Sequence, residues 1–216
     1  MAMGILVIGE SGSGKTTSCR TLAPKTTYYI DADRKGLCWK GWKKQYNEAN
    51  GNYLAVSKPD EVYDRVRLIN DKDARIKTIV IDTLNGIMVD QEFRRMHEKN
   101  YDKWADLAWS IYKLIGVIGN MRDDLNIVCM AHAQTDHDEN GFLFTRMKTS
   151  GRKLDKIVPE SKFTTVLLAK ASDGRYVFET HANHSTAKSP LGAFPEVEIP
   201  NDMKAVIDTL RKYEED

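Results

Sequence analysis

Short apolar runs alternate along the chain with segments in which apolar residues recur at every third or fourth position. The first pattern is typical of buried strands, and the second of amphipathic helices. Strands are predicted near residues 4–9, 27–32, 53–56, 77–83, 126–132, 164–170 and 175–180, and helices near 15–22, 59–70, 103–121 and 202–213. This alternation predicts βαβ units, and therefore an α/β fold with a mostly parallel central sheet flanked by helices.

The last two predicted strands are separated by the segment ASDGR at residues 171–175. An Asp-Gly pair between two alternating segments favours a tight turn, so these strands are predicted to form a C-terminal antiparallel hairpin. The chain of 216 residues has no internal repeat and no linker rich in proline and glycine. Because this length suits one well-filled α/β domain, we expect a single domain over residues 1–216.

Composition narrows the class of protein. Hydrophobic residues make up 41% of the chain and charged residues 29%, as in folded soluble proteins. The apolar runs fall short of the roughly 18 residues that cross a bilayer, so no membrane association is expected. Cys19, Cys38 and Cys129 are far apart and odd in number, which argues against disulfides or a zinc site and favours a reducing cytoplasm.

The first predicted strand leads directly into the segment GESGSGKTT at residues 9–17. This segment fits the pattern G-x-x-x-x-G-K-[ST] between a strand and a helix, which is the context of a phosphate-binding loop. Its glycines allow tight turns that point backbone N–H groups at phosphate oxygens. The predicted nucleotide-binding residues are Gly9, Glu10, Ser11, Gly12, Ser13, Gly14, Lys15, Thr16 and Thr17. We expect Lys15 to contact the β- and γ-phosphates of ATP, and Thr16 to ligate Mg²⁺.

Asp82 ends the apolar strand KTIVID and precedes a hydroxyl residue, Thr83. In a P-loop protein, an aspartate at this place holds the Mg²⁺ shell, usually through water. An aspartate can also simply end a buried strand. The phosphate-binding loop upstream favours the metal role, so Thr16 and Asp82 are the predicted metal-binding residues.

The second predicted strand, in the segment YYIDAD, ends with Asp31 and Asp33. The side-chain period of two places both carboxylates on one face. If this strand lies beside the phosphate-loop strand, one of them could orient or deprotonate the water that attacks the γ-phosphate. A role in a turn or a helix cap is the alternative, since aspartate is common after strands.

The segment NIVCMAHAQTD is a further buried strand that releases His132 and Gln134 as it ends. Each side chain can donate a hydrogen bond toward a γ-phosphate and respond to its loss after hydrolysis. A histidine satisfied within the core is the alternative interpretation of His132.

The net charge of the chain is only +1, but two of its stretches are strongly basic. Residues 34–44 carry five lysines and arginines with no acid, and residues 146–156 carry five against one aspartate. The first stretch interleaves Trp39 and Trp42 with lysines. That composition suits stacking on nucleic-acid bases, but an amphipathic helix with buried indoles is the interpretation we favour.

The order of these motifs resembles that of the RecA-type ATPase core. The segments that carry the resemblance are GESGSGKTT, YYIDAD, IVIDTL, DKWADLAWSIYKLI, NIVCMAHAQ, a basic loop, a hairpin and AKSPLGAF. More narrowly, the chain resembles the core-only RecA-like P-loop ATPases encoded by bacteriophages and grouped with single-strand annealing and recombination proteins. The resemblance covers nearly the whole chain.

This resemblance implies roles for individual residues. Asp33 would be the catalytic base, although the family more often has glutamate there, and Gln134 would sense the nucleotide with His132 as its companion. Residues 135–156 would form the mobile loop that contacts DNA. Lys188, in AKSPLGAF, would complete the ATP site of a neighbouring subunit, which implies a homo-oligomer arranged as a ring or a filament.

Residues 135–156 are polar and basic, as expected of a loop that neutralises phosphates along single-stranded DNA. Phe142 and Phe144 are available there for base stacking. The predicted DNA-binding residues are Arg146, Lys148, Arg152 and Lys153. A solvated surface loop is the alternative, because most runs of charge are solvated.

We therefore expect a Mg²⁺-dependent ATPase whose nucleotide state controls binding of single-stranded DNA in phage recombination, annealing or replication, within the host cytoplasm. One alternative is a P-loop kinase that acts on a nucleotide or another small molecule. A kinase needs a closing lid with converging arginines, whereas the arginines here are scattered. Another alternative is a nucleotide-binding regulatory or assembly subunit with little turnover, which the aspartate at position 33 suggests.

Overall fold

A computed structural model describes residues 1–99, 102–137, 140–150 and 158–215 of the chain. In these ranges the strands are β1 (Met3–Gly9), β2 (Thr27–Asp31), β3 (Tyr53–Leu54), β4 (Thr78–Asp82), β5 (Asn126–His137), β6 (Leu143–Met147), β7 (Thr165–Ser172), β8 (Arg175–Glu179) and β9 (Glu198–Pro200). The α-helices are α1 (Lys15–Ser18), α2 (Trp42–Gln45), α3 (Pro59–Lys72), α4 (Leu84–Arg94), α5 (Asp102–Gly116) and α6 (Met203–Glu215). Short 3₁₀ helices cover Cys19–Thr21, Val117–Asn120 and Pro159–Lys162.

The described strands form one sheet in the order β3-β2-β4-β5-β1-β7-β8-β9, and β6 pairs with the far end of β5. The strands from β3 to β7 along this path are parallel, whereas β8 and β9 are antiparallel. The predicted α/β fold with a mostly parallel sheet and a C-terminal antiparallel hairpin is confirmed. Because β5 lies between β1 and β4, only one strand separates the end of β1, where the phosphate-binding loop begins, from Asp82 at the end of β4.

Alternate residues of the central strands bury their side chains on opposite faces of the sheet. On one face, Leu6 and Ile8 join the core that includes apolar residues of α3, α4 and α5. On the other, Ile5 and Val7 join the core that includes Cys19 and the apolar stripe of α6. Near-continuous apolar runs are therefore what these strands require, since both faces are covered.

The hairpin between β7 and β8 turns through the predicted Asp-Gly pair. Ser172 pairs with Arg175, and the two residues between them, Asp173 and Gly174, have φ angles of 51° and 75°. Positive φ at both central positions is the geometry of the two-residue turn that Asp-Gly favours.

The first predicted helix is shorter than expected. The prediction covered residues 15–22, whereas α1 makes one α-helical turn and continues as a 3₁₀ turn to Thr21. Pro24 follows closely, and the residue before a proline is disfavoured in the helical region. Leu22, one residue before the position that Pro24 restricts, is already extended with a ψ of 141°.

Helix α4 and strands β6 and β9 were not predicted. In α4, Ile87 and Met88 are buried while Val89 and Phe93 are 43% and 67% exposed. The apolar residues of this helix therefore point both inward and outward, which obscures the 3.6-residue period. The helix nevertheless begins with a regular cap, because Thr83 Oγ1 accepts a hydrogen bond from the Gly86 N–H at 3.1 Å.

The predicted loop over residues 135–156 needs correction. Residues 135–137 continue β5, and they pair with β6 in antiparallel register, with Thr135 opposite Thr145. Their hydroxyl oxygens lie 2.9 Å apart. The described part of this segment is thus a hydrogen-bonded β-hairpin rather than an irregular loop. We call residues 133–137 and 143–148 the basic hairpin.

Two further findings bear on the class of protein. None of the helices in the described ranges combines the length and apolar composition that crossing a membrane requires. Cys19 and Cys129 are buried free thiols, and Cys38 is an exposed one.

Candidate nucleotide-binding site

The phosphate-binding loop connects the end of β1 to α1, and its glycines are structurally required. Gly14 has a φ of 92°, in the left-handed region that glycine adopts without strain. A Cβ on Gly9 would lie 2.4 Å from Ser13 Oγ and 2.8 Å from the Ala169 carbonyl oxygen. The buried Ser13 hydroxyl has no hydrogen-bond partner among the described residues. Because buried polar groups are normally paired, this hydroxyl fits a site whose ligand supplies the partner.

Lys15 folds back across this loop. Its side chain is buried, and Nζ donates hydrogen bonds of 2.7 Å to the carbonyl oxygens of both Gly9 and Glu10. Burial lowers the pKa of Lys15 to about 8, although the negative charge of Asp82 acts in the opposite direction. A bound phosphate would restore a full counter-charge to this ammonium, which two neutral carbonyls do not provide.

Thr16 and Asp82 meet where α1 begins and β4 ends. Thr16 Oγ1 donates a hydrogen bond of 2.6 Å to Asp82 Oδ2, and Tyr29 donates a second bond of 2.6 Å to the same oxygen. The described residues contain no cluster of three or more histidine, cysteine or acidic side chains suited to a metal. A hydroxyl beside one carboxylate does fit Mg²⁺, which takes few protein ligands and keeps phosphate and water oxygens.

The two candidate carboxylates after β2 have different partners. Asp31 is 1% exposed and accepts hydrogen bonds of 2.7 Å from the Gly36 N–H and from the Tyr53 hydroxyl. Asp33 instead lines a cleft and accepts hydrogen bonds of 2.8 Å from Lys35 Nζ and from the Thr83 hydroxyl. Burial raises the pKa of Asp33, but Lys35 and Thr83 outweigh it and lower the pKa below its ordinary value. Asp31 thus stabilises the turn, whereas the Asp33 side chain is 19% exposed. The role of Asp33 as the catalytic base stays a prediction.

His132 lies on β5 directly beside Gly9 of β1. Burial lowers its pKa, and the positive charge of Lys15 lowers it further, which favours the neutral imidazole at pH 7. His132 lines a cleft together with Asp33. We call Lys15, Thr16, Asp33, Asp82 and His132 the nucleotide edge, since they converge at the carboxyl ends of neighbouring strands, where α/β sheets bind ligands.

Comparison with models of protein families gives a match to this sequence. The family model described as AAA domain matches residues 1–191. The chain belongs to the AAA domain family. No curated protein matches it. Membership confirms the coarser prediction, a nucleotide-binding P-loop ATPase domain of the class that binds ATP with Mg²⁺.

Gln134 does not join the nucleotide edge of this AAA domain. It lies two residues beyond His132, and its Nε2 donates a hydrogen bond of 2.8 Å to Asp136 Oδ2. Gln134 also stands opposite Arg146 within the basic hairpin. The sensor role assigned to Gln134 therefore stays a prediction without a contact to the phosphate-binding loop.

The predicted DNA-binding residues are only partly described. Arg146 meets Asp136 at 3.4 Å, and the side chain of Lys148 is exposed. Arg152 and Lys153 lie outside the described residues. Phe142, at the turn of the hairpin, is 60% exposed.

Lys188 lies away from the nucleotide edge of its own subunit. Its backbone forms an antiparallel bridge with Val166 of β7, which stands beside Leu6 in the middle of β1. Among the described residues the Lys188 ammonium has no hydrogen-bond or ion-pair partner. A role in the ATP site of a neighbouring subunit stays a prediction.

The tryptophans of the first basic stretch are half-buried. Trp39 donates a hydrogen bond of 2.8 Å to Gln45, and both Trp39 and Trp42 pack against the core on the α6 side of the sheet. The amphipathic helix we favoured is reduced to the single turn of α2, but the indoles are packed as that interpretation requires.

Asn201 is a candidate site residue that no sequence motif marks. Its amide is buried, and neither its nitrogen nor its oxygen has a hydrogen-bond partner among the described residues. A Cβ on Gly14 would lie 3.3 Å from Asn201 Nδ2 and 2.7 Å from the Tyr176 ring. Thr17, Arg20, Tyr176 and Asn201 line a cleft beside the phosphate-binding loop.

Asn85, the second residue of α4, was also missed. Its Oδ1 accepts a hydrogen bond of 2.7 Å from the His132 N–H, and its Nδ2 donates one of 2.9 Å to the Lys148 carbonyl. The Lys148 N–H in turn donates to the His132 carbonyl at 2.7 Å. This closed ring of three bonds joins the nucleotide edge to the end of the basic hairpin.

Proposed function

We propose that this AAA domain binds and hydrolyses ATP with Mg²⁺. The observation that carries the proposal is the convergence of the nucleotide edge, in which a lysine, a hydroxyl, two carboxylates and a neutral imidazole surround the mouth of one phosphate-binding loop. Lys15 would stabilise negative charge on the β- and γ-phosphates, and Asp33 would orient or deprotonate the attacking water. His132 can donate a hydrogen bond to the γ-phosphate from its neutral ring.

Thr16 and Asp82 are the residues that would hold the metal. Bound there, Mg²⁺ would neutralise charge that develops on the transferred phosphate. Tyr29 fixes the Asp82 carboxylate through its hydrogen bond of 2.6 Å, so the orientation of this ligand is set before any nucleotide arrives.

The cleft lined by Tyr176 and Asn201 supports adenine as the base. An amide offers one donor and one acceptor, which matches the donor and acceptor that adenine presents side by side, whereas the corresponding edge of guanine presents two acceptors. The exposed Tyr176 ring is available for stacking on the base. The unpaired amide of Asn201 supports this assignment.

We further propose that the nucleotide state controls binding of single-stranded DNA at the basic hairpin, in the service of phage recombination, annealing or replication. Support comes from the exposed cation of Lys148, from Phe142 at the hairpin turn, and from the ring of hydrogen bonds through Asn85. A change at His132 would reach Lys148 through bonded backbone rather than through a flexible linker. The phage and recombination context rests on the resemblance in motif order.

We also propose that residues 1–216 act as a single ATPase domain within a homo-oligomer. The sheet that runs from β3 to β9 supports the single domain. The unpaired ammonium of Lys188 supports a contact made with another subunit.

The experiment that tests the proposed function is the rate of ATP hydrolysis with and without single-stranded DNA. Stimulation by DNA is expected. Phosphate transfer to a small acceptor would instead establish a kinase, and tight ATP binding without turnover would establish a regulatory subunit. Heat-denatured protein and the Lys15→Ala variant control for contaminating ATPases.

A further inference from the structure

Lys35 supplies a positive charge to the two carboxylates of the nucleotide edge. Its Nζ lies 2.8 Å from Asp33 Oδ2 and 3.4 Å from Asp82 Oδ1. The other Asp82 oxygen is occupied by the hydroxyls of Thr16 and Tyr29. Among the described residues, Lys35 is therefore the ion-pair partner of a carboxylate that is 1% exposed.

The backbone holds Lys35 in this place. The buried Asp31 carboxylate accepts hydrogen bonds from the Gly36 N–H at 2.7 Å and from the Lys35 N–H at 3.4 Å. The preceding residue, Arg34, has a φ of 55°. The Lys35 side chain is itself 44% exposed, so the anchored turn and the two ion pairs, rather than burial, hold it in place. Lys40 of the same basic stretch is also exposed and forms no ion pair among the described residues.

We propose that Lys35 is a built-in counter-cation that keeps the nucleotide-free site from taking up Mg²⁺ alone, so that the metal enters together with the nucleotide. This inference rests in part on the proposed Mg²⁺-dependent ATPase. Two carboxylates at one edge would attract a divalent cation, but an ammonium between them neutralises one charge and repels a second cation at short range. Nucleotide phosphates add negative charge, which allows Mg²⁺ to bind while the Lys35 ammonium stays in place.

The test uses Mg²⁺ alone, without nucleotide, and follows thermal unfolding of the full chain. A cation that binds the folded protein raises the melting temperature by mass action. We expect Lys35→Gln to show a Mg²⁺-dependent rise with an apparent affinity at least about tenfold tighter than the parent, because the loss of roughly 1.4 kcal/mol of repulsion corresponds to that factor. Lys35→Arg keeps the charge and should behave as the parent. Lys40→Gln removes an exposed charge from the same stretch and should also behave as the parent.

A double variant locates the effect. Lys35→Gln combined with Asp82→Asn should lose the gained response, because the metal-binding carboxylate is then absent. An equal Mg²⁺ response in the parent and in Lys35→Gln overturns the proposal, as does a gained response that persists in the double variant.

Failure to fold is also informative. If Lys35→Gln is unfolded in metal-free buffer, millimolar Mg²⁺ should restore its structure by replacing the missing charge, and failure of Mg²⁺ to restore it contradicts the proposal. Lys35→Met, which keeps the aliphatic length, carries the same expectations. Since no nucleotide is present, these results do not depend on ATP hydrolysis. Absence of ATPase activity in the parent would contradict the proposed function without changing the Mg²⁺ result.

Discussion

The nucleotide edge and the basic hairpin carry charge in opposite ways. At the nucleotide edge, Asp82 is 1% exposed and Lys15 is 6% exposed, and each is hydrogen-bonded to defined partners. In the basic hairpin, the Arg146 side chain is 38% exposed and meets one acid at 3.4 Å, while Lys148 faces solvent.

This difference separates two kinds of function. Buried, bonded charges have fixed positions, so they can act on particular atoms of a ligand, and removing one leaves its partners unpaired. Exposed charges contribute little to stability and are screened by salt, so they suit contact with a polyanion whose sequence is not read. Substitutions in the two regions should therefore differ in size and in salt dependence.

The largest effect is expected for Lys15→Ala, which should abolish ATP binding. The substitution removes the cation that is expected to contact the β- and γ-phosphates. Titration calorimetry with ATP and Mg²⁺ measures the loss, and Lys25→Ala, at a solvent-exposed lysine, should bind as the parent does. An unchanged affinity for ATP in Lys15→Ala would contradict the assignment of residues 9–17 as the phosphate-binding loop.

Lys188→Ala tests whether the nucleotide edge is complete within one subunit. If Lys188 serves the neighbouring site, this variant should bind ATP normally and hydrolyse it about 10³-fold more slowly, as arginine fingers do in other P-loop enzymes. Mixing it with Lys15→Ala should restore part of the activity, because the second protein lends its intact Lys188. If the two proteins co-assemble and the mixture is no more active than its separate components, Lys188 does not act in the ATP site of a neighbouring subunit.

Asp33→Asn should keep ATP binding and lower the turnover number by about 10²-fold, the usual contribution of a positioned base. Asp31→Asn should mainly lower the melting temperature, because Asp31 holds its own turn through buried hydrogen bonds. Single-turnover hydrolysis and thermal unfolding distinguish the two. The reverse assignment of effects would make Asp31 the base.

Replacement of Arg146, Lys148, Arg152 and Lys153 together by glutamine should weaken binding of single-stranded DNA and flatten its salt dependence. Each lost phosphate contact removes roughly 0.7 from the slope of log affinity against log salt. Fluorescence anisotropy at several salt concentrations measures the slope. Lys43→Gln with Lys44→Gln is the matched control, and a slope that falls only in that control would place the DNA site in the first basic stretch.

The smallest effect is expected for Asn201→Ala, which should reduce the preference for ATP over GTP by about tenfold, since a good bidentate amide contact to adenine contributes about 1–3 kcal/mol of discrimination. Phosphate contacts are unchanged, so GTP affinity should change little. Asn201→Asp keeps the acceptor but not the donor and should also lose discrimination. Competition calorimetry with the two nucleotides gives the ratio, and an unaltered ratio would exclude Asn201 from the base site.

The sequence predicted the nucleotide edge better than the basic hairpin for a physical reason. Lys15, Thr16 and Asp82 belong to local patterns whose backbone geometry comes with them, so a strand and a loop suffice to place them. The pairing of residues 135–137 with β6 depends on partners that no local pattern specifies, and the polar composition gave the appearance of an irregular loop.

Residues that act through long-range packing were missed altogether. In the sequence, Lys35 is one of five cations in a basic stretch. Its contact with Asp82 depends on the turn that Asp31 anchors, which no local pattern predicts. Asn201 and Asn85 carry no motif, because their significance lies in buried amides whose surroundings come from distant parts of the chain.

The two ends of the sheet are unusually short. Strand β3 pairs through two residues and β9 through three, so little unpaired backbone is offered to another chain at either margin of the described sheet. Short edge strands are a means by which proteins avoid edge-to-edge aggregation. The margins of the sheet therefore disfavour growth of one continuous sheet from molecule to molecule, and the proposed contact between copies of this chain would rest on side-chain surfaces, which single substitutions can change.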